Sequence, residues 1–184
     1  MNDLASDHAP EGIAVFGASD AEPDSPPWTA ALEIGRRVAE AGVPVVCGGY
    51  GGVMEAACRG ARLAGGETIG VTCRVFAART PNPWLTLEIE EPDLAARTHR
   101  LICLSRGFIV LAGASGTLAE LAMLWAYRRA GVLAAPIVIL DDLWEETARR
   151  LAAAGRLEPR VLDATRFVAS PAQAVEAALA REID

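Results

Sequence analysis

Apolar positions in this chain follow two alternating patterns. Short, nearly continuous runs rich in Val and Ile predict strands at 12–17 (GIAVFG), 44–48 (PVVCG), 67–72 (ETIGVT), 107–112 (GFIVLA), 136–140 (PIVIL) and 165–169 (TRFVA), and LTLEI at 85–89 predicts one more. Between them, apolar residues recur every three or four positions over 28–41, 52–64, 92–105, 116–130, 142–154 and 171–182, which predicts helices. Gly42, Gly65 and Gly131 follow helical segments, and Pro92 and Pro171 stand where first turns are expected. Strands that are apolar throughout, each followed by a helix, imply a parallel sheet covered on both faces. The expected architecture is α/β: a three-layer Rossmann-like domain with a parallel sheet of about six or seven strands and helices on both faces.

In such sheets ligands lie beyond the carboxyl ends of the strands, so the loops at those ends face one crevice. Two are Pro-rich, DAEPDSPPW at 20–28 and ARTPNPW at 78–84. Three others end in small residues: FGAS at 16–19, where Ser19 can donate to a phosphate or a base; CGGYGG at 47–52, with Gly48, Gly49 and Gly51; and AGASGT at 112–117, with Gly113, Ser115, Gly116 and Thr117. Glycines at a strand-to-helix junction let backbone N–H groups approach an anion, and the helix dipole adds to the attraction. The pattern is not the usual GxGxxG of the first strand. On spacing, Thr117 and Glu120 also form the T-x-x-E of a capping box, which would satisfy helix-end amides without any ligand.

The 184 residues carry 17 basic side chains, all of them arginine, and a formal charge of −7. Without lysine there is no Schiff base, no covalently held pyridoxal phosphate and no Walker A motif. The acidic balance argues against a nucleic-acid partner, although an arginine cluster can still hold one phosphate. In DLAARTHRLICLSR, Leu94, Leu101 and Leu104 mark the expected buried face, and Arg97 and Arg100 share a face that is expected to be solvated. His99 is expected at the surface, and the acids of EIEEPD at 88–93 in a charged loop and helix start.

Cys47, Cys58, Cys73 and Cys103 lack zinc-ligand spacing and are expected to be reduced core thiols. Residues 1–11 have the polar composition of a flexible tail, leaving 12–184 as a single domain, and no apolar stretch is long enough to cross a membrane. These features point to a cytoplasmic protein.

GGYGGVMEA, Arg97 and GASGTLAE, in this order, resemble the LOG (Lonely Guy) family of Rossmann-fold nucleotide-binding proteins, also labelled "possible lysine decarboxylase". The resemblance runs from about residue 12 to 140 and lies near the molybdenum cofactor carrier-like branch. Against the family motif P-G-G-x-G-T-x-x-E, Ala112 stands for the proline, Gly113 and Ala114 for the two glycines, Gly116 and Thr117 for G-T and Glu120 for the glutamate; Arg97 matches the family's arginine, with Thr98 and Leu101 replacing a lysine and a methionine.

The resemblance implies hydrolysis of the N-glycosidic bond of a nucleoside 5′-monophosphate to free base and ribose 5-phosphate. Arg97 and Glu120 would be the catalytic pair and residues 113–117 the phosphate site, with no metal and no cofactor. Its alternative is a non-catalytic carrier or sensor of a nucleotide or of a phosphate-bearing cofactor such as molybdopterin. It also implies a homodimer through helices beside the site, for which LAMLWAYRRAGVLAA supplies apolar surface. Ala114, if left-handed, would carry strain of order 1 kcal/mol.

Overall fold

The computed structural model describes residues 12–180. The expected tail at 1–11 and the last two residues of the expected helix 171–182 lie outside the described residues. Seven strands form one sheet: β1 (Gly12–Phe16), β2 (Val45–Cys47), β3 (Thr68–Cys73), β4 (Leu87–Glu91), β5 (Ser105–Val110), β6 (Ile137–Ile139) and β7 (Thr165–Phe167). All pairings are parallel, in the order β4-β3-β2-β1-β5-β6-β7. Among the described residues the helices are α1 (Pro26–Glu40), α2 (Val53–Leu63), α3 (Leu94–Cys103), α4 (Ser115–Ala130), α5 (Asp142–Ala153), α6 (Pro159–Asp163) and α7 (Pro171–Leu179), with a single 3₁₀ turn at Arg74–Phe76.

Alternation along the strands divides the core in two. Ile13 and Val15 of β1 face α1, α2 and α7, packing with Trp28, Ile34, Val53 and Val175. Ala14 and Phe16 face the other way, into a layer with Leu101, Leu121, Trp125 and Trp144 from α3, α4 and α5. Both sheet faces are therefore apolar, which is why the strands read as unbroken hydrophobic runs.

Several boundaries differ from the sequence reading. The loop expected at 20–28 ends earlier, because Pro26 and Pro27 begin α1; a first turn has no use for the amide hydrogens that proline lacks. Pro92 is not in the first turn of α3: Asp93 caps that helix by accepting from the Ala96 amide at 2.8 Å, and Pro92 precedes the cap. The acids of 88–91 form edge strand β4 rather than a loop, with Glu88 accepting from the Thr72 hydroxyl at 2.7 Å and Glu91 from Arg100 at 2.8 Å. Strand β5 starts two residues early, at Ser105, whose hydroxyl donates back to the Leu101 carbonyl at 2.8 Å as α3 ends.

Strand order reverses at β1. Strands β2 to β4 extend to one side and β5 to β7 to the other, so the crossover leaves a crevice above the carboxyl ends of β1 and β5.

Candidate functional site

Three loops meet at this crevice and fix one another through backbone contacts. The Ala18 amide donates to the Ala112 carbonyl at 2.8 Å, and the Val53 amide at the start of α2 donates to the Ala18 carbonyl at 2.9 Å. Gly52 has φ +67°, and a Cβ there would lie 2.3 Å from the Ala18 oxygen, so the second loop reaches the first only through a glycine. Between the loops is a cavity of about 290 Å³. Of the sequence-predicted residues, Ser19, Gly48, Arg97, Ser115, Gly116, Thr117 and Glu120 line it; Gly49, Gly51 and Gly113 stand outside its lining.

Arg97 overturns the expectation of a solvated face. Its residue surface is 8% exposed, while Leu94, expected to be buried, is 47% exposed. The inward stripe of α3 is Arg97 and Leu101, one turn apart, with Ile102 beside them. The Arg97 Nε donates to the Val71 carbonyl at 2.8 Å, and Nη1 lies 3.5 Å from the Glu120 Oε1. Room for the guanidinium comes from Gly48, where a Cβ would fall 1.7 Å from Nη2. Arg100, three residues on, stays at the rim and pairs with Glu91.

The capping box is likewise absent. Helix α4 begins at Ser115 after a non-capping Ala114, so Thr117 is its third residue and Glu120 lies in its second turn, beyond reach of the cap. Thr117 is buried and packs on Gly113, where a Cβ would meet its Oγ1 at 2.2 Å. Glu120 turns toward Arg97, and burial pushes its carboxyl up to about 7, with the arginine pulling the other way. Side chains cap α3, α5 and α7 through Asp93, Asp141 and Ser170, whereas α4 has no side-chain cap and its first turn borders the cavity. Its first amides thus remain available to an anion. Ala114 has φ −104° and ψ −152°, extended rather than left-handed, so its methyl group adds no backbone strain. A Cβ at Gly116 would meet nothing within 4 Å.

The sequence reading missed Asp20, Tyr50, Met54, Phe76 and Arg79, which also line the cavity. The Tyr50 hydroxyl donates to the Cys73 carbonyl at 3.2 Å and accepts from the Cys73 amide at 3.0 Å. Asn82 fastens the Pro-rich loop to the glycine loop. Its amide donates to the Gly49 carbonyl at 2.9 Å, its Nδ2 donates to the Tyr50 carbonyl at 3.0 Å, and its Oδ1 accepts from the Trp84 amide at 3.1 Å. The signal in the sequence was the placement of ARTPNPW beyond a strand end; nothing in it distinguished Arg79 from other loop arginines.

Cys47, Cys58 and Cys73 are buried and Cys103 is half-buried. The Cys47 and Cys58 sulfurs are 3.3 Å apart, and their hydrogen bond lowers the Cys47 thiol and raises that of Cys58. His99 is half-buried rather than at the surface, with Nδ1 3.2 Å from the Tyr127 hydroxyl and Nε2 3.4 Å from the Cys103 sulfur, and it does not line the cavity. No helix among the described residues is long and apolar enough to cross a membrane.

Comparison with known proteins agrees with the fold. The family model described as the SLOG cluster4 family matches residues 11–162. An uncharacterized protein of Archaeoglobus fulgidus is 30% identical over 128 residues, covering 69% of this chain and 82% of its own. The molybdenum cofactor carrier protein of Chlamydomonas reinhardtii superposes with a TM-score of 0.70 at 26% identity, covering 92% of this chain and 96% of that one. A molybdenum cofactor binding protein of Rippkaea orientalis superposes with a TM-score of 0.68 at 24% identity, covering 93% and 96%.

Proposed function

Since the chain belongs to the SLOG cluster4 family and has a LOG-like Rossmann fold, we propose that it binds a nucleoside 5′-monophosphate in this cavity and hydrolyses its N-glycosidic bond. The observation that carries the reading is the buried Arg97–Glu120 pair in the same cavity as the uncapped first turn of α4. Raising a glutamate from its ordinary 4.5 to about 7 opposes folding by about 3 kcal/mol above neutrality. A side chain kept at that cost beside a cavity is a candidate for proton chemistry near neutral pH.

The phosphate would sit on the Ser115–Thr117 amides, assisted by the hydroxyls, with Ser19 and Gly48 lining the same cavity. Anchored there, the nucleotide spends phosphate-binding energy on aligning its C1′–N bond. As that bond breaks, the ribose acquires oxocarbenium character, which the Glu120 carboxylate stabilises. Glu120 then takes a proton from the attacking water, the water oxygen bonds to C1′, and the proton ends on the departing base nitrogen. Arg97 orients Glu120 and favours its ionised form.

The similarity to molybdenum cofactor carriers favours a second reading, in which the cavity holds a nucleotide or a phosphate-bearing cofactor as cargo without turnover. Recovering the ligand after incubation separates the two. Hydrolysis returns free base, whereas a carrier returns its ligand intact.

The same reading includes a homodimer in the cytoplasm. Leu118 on α4 is 41% exposed and Leu94 on α3 is 47% exposed, with the exposed Ala119 and Ala122 adding small apolar surface on α4. Sedimentation showing only monomer at micromolar concentration would contradict the dimer.

A further inference from the structure

Tyr50 is in contact with two guanidinium groups. Arg97 lies 6.0 Å from its ring centroid and Arg79 lies 5.9 Å from it. Arg97 has partners within the protein, the Val71 carbonyl at Nε and Glu120 at Nη1. Arg79 instead rests on a second ring, Phe76, at 5.2 Å, and among the described residues no carboxylate pairs with it. Phe76 meets Tyr50 edge-on, with centroids 5.8 Å apart, so the two rings make a platform for the guanidinium. The backbone beneath is held as well, because the Arg79 amide donates to the Phe76 carbonyl at 2.7 Å and Asn82 ties the loop to Gly49 and Tyr50.

A guanidinium packed against aromatic rings still has its fork of N–H donors to offer, and that fork matches a phosphate or carboxylate. Arg79 borders the same cavity as the first turn of α4, so the cavity holds two separate sets of anion donors in a chain of net charge −7. The 5′-phosphate uses only one of them. We propose that Arg79 takes a second anionic group, and that the preferred ligand of the cavity is a nucleotide carrying a phosphate or carboxylate in addition to its 5′-phosphate. This inference rests on the nucleotide reading above.

Calorimetric titration of AMP, ADP, adenosine 3′,5′-bisphosphate and orotidine 5′-monophosphate into the full chain tests it, since the second anion lies on the phosphate chain, the ribose or the base in turn. Glu120→Gln is used as the background, so that hydrolysis does not obscure binding. At least one doubly anionic ligand should bind tenfold or more tighter than AMP. Adding Arg79→Ala should remove that advantage while leaving AMP affinity within threefold, and Arg79→Lys should restore only part of it. Equal affinity for all four ligands overturns the inference, as does an Arg79→Ala variant that weakens AMP as much as the others; in both cases the nucleotide reading stands. Failure of every nucleotide to bind overturns that reading and the inference with it. Arg79 is exposed, and unchanged melting of its variants establishes that the differences arise in the cavity.

Discussion

Gly48 and Arg97 occupy complementary space: a methyl group on the glycine would lie 1.7 Å from the arginine Nη2. The glycine loop after β2 therefore has a packing role. It leaves the room through which Arg97 reaches Glu120. In Gly48→Ala the guanidinium must move, Glu120 loses its counter-charge, and overpacking costs ~1–3 kcal/mol. We expect a fall in base release of at least ~10-fold, the scale of 1.4 kcal/mol in a barrier, together with a lower midpoint in urea unfolding. Full activity in this variant would show that Arg97 does not act from its buried position.

Glu120 gives a pH-dependent prediction whose sign follows from its raised carboxyl. In the unfolded chain it ionises near 4.5 and in the folded protein near 7, so folding takes up a proton between these values. The stability this confers is fully present below about pH 4.5 and is lost as pH rises through 7. Glu120→Gln removes the titration, and relative to the parent it should gain up to about 3 kcal/mol as pH is raised from 4.5 to 8, read by urea unfolding at each pH. A difference independent of pH would contradict a buried, proton-binding Glu120.

The small residues of the α4 loop are not equivalent. Gly113→Ala places a methyl group 2.2 Å from the Thr117 hydroxyl and 3.1 Å from the Ala18 amide nitrogen, so it should disturb the phosphate site and weaken nucleotide binding by ~10-fold or more. Ala114→Gly, which restores the glycine of the family motif, should leave binding nearly unchanged, because Ala114 is already extended. It should cost only the ~0.4–1 kcal/mol of added freedom in the unfolded chain. Calorimetry and thermal melting of the two variants give the comparison.

Asn82→Ala removes the two side-chain hydrogen bonds that hold Tyr50 and Trp84 in place, while the main-chain bond to Gly49 remains. It leaves buried backbone groups unpaired, at a cost of ~1–3 kcal/mol. Amide exchange should quicken across residues 48–52 and 79–84 while β1 and β5 remain protected.

The sheet was legible in the sequence because all seven strands are buried on at least part of their length or follow a turn signal, and their order of appearance fits a doubly wound topology. The short helix α6 was not anticipated, since Pro159–Asp163 is too brief to show a period. Arg97 was legible only through the family resemblance. Counted as a polar residue it suggested solvent, and its burial depends on Gly48, Val71 and Glu120, which lie 49, 26 and 23 positions away in the chain. The capping box failed for a different reason. Helix α4 starts two residues before Thr117, and a T-x-x-E spacing says nothing about where a helix begins. The contact between Cys47 and Cys58 also depends on the packing of α2 against β2, which spacing alone does not convey.

The central claim, that the Arg97–Glu120 pair cuts a glycosidic bond, is tested most directly by incubating the protein with a panel of nucleoside 5′-monophosphates and separating free base from intact nucleotide. The account predicts stoichiometric free base and ribose 5-phosphate from at least one of them. Release should rise with pH through about 7 as Glu120 ionises, and Glu120→Gln should lower it by ~10²–10⁴-fold with nucleotide affinity retained. Intact nucleotide recovered from every incubation, or release that survives Glu120→Gln unchanged, would contradict it.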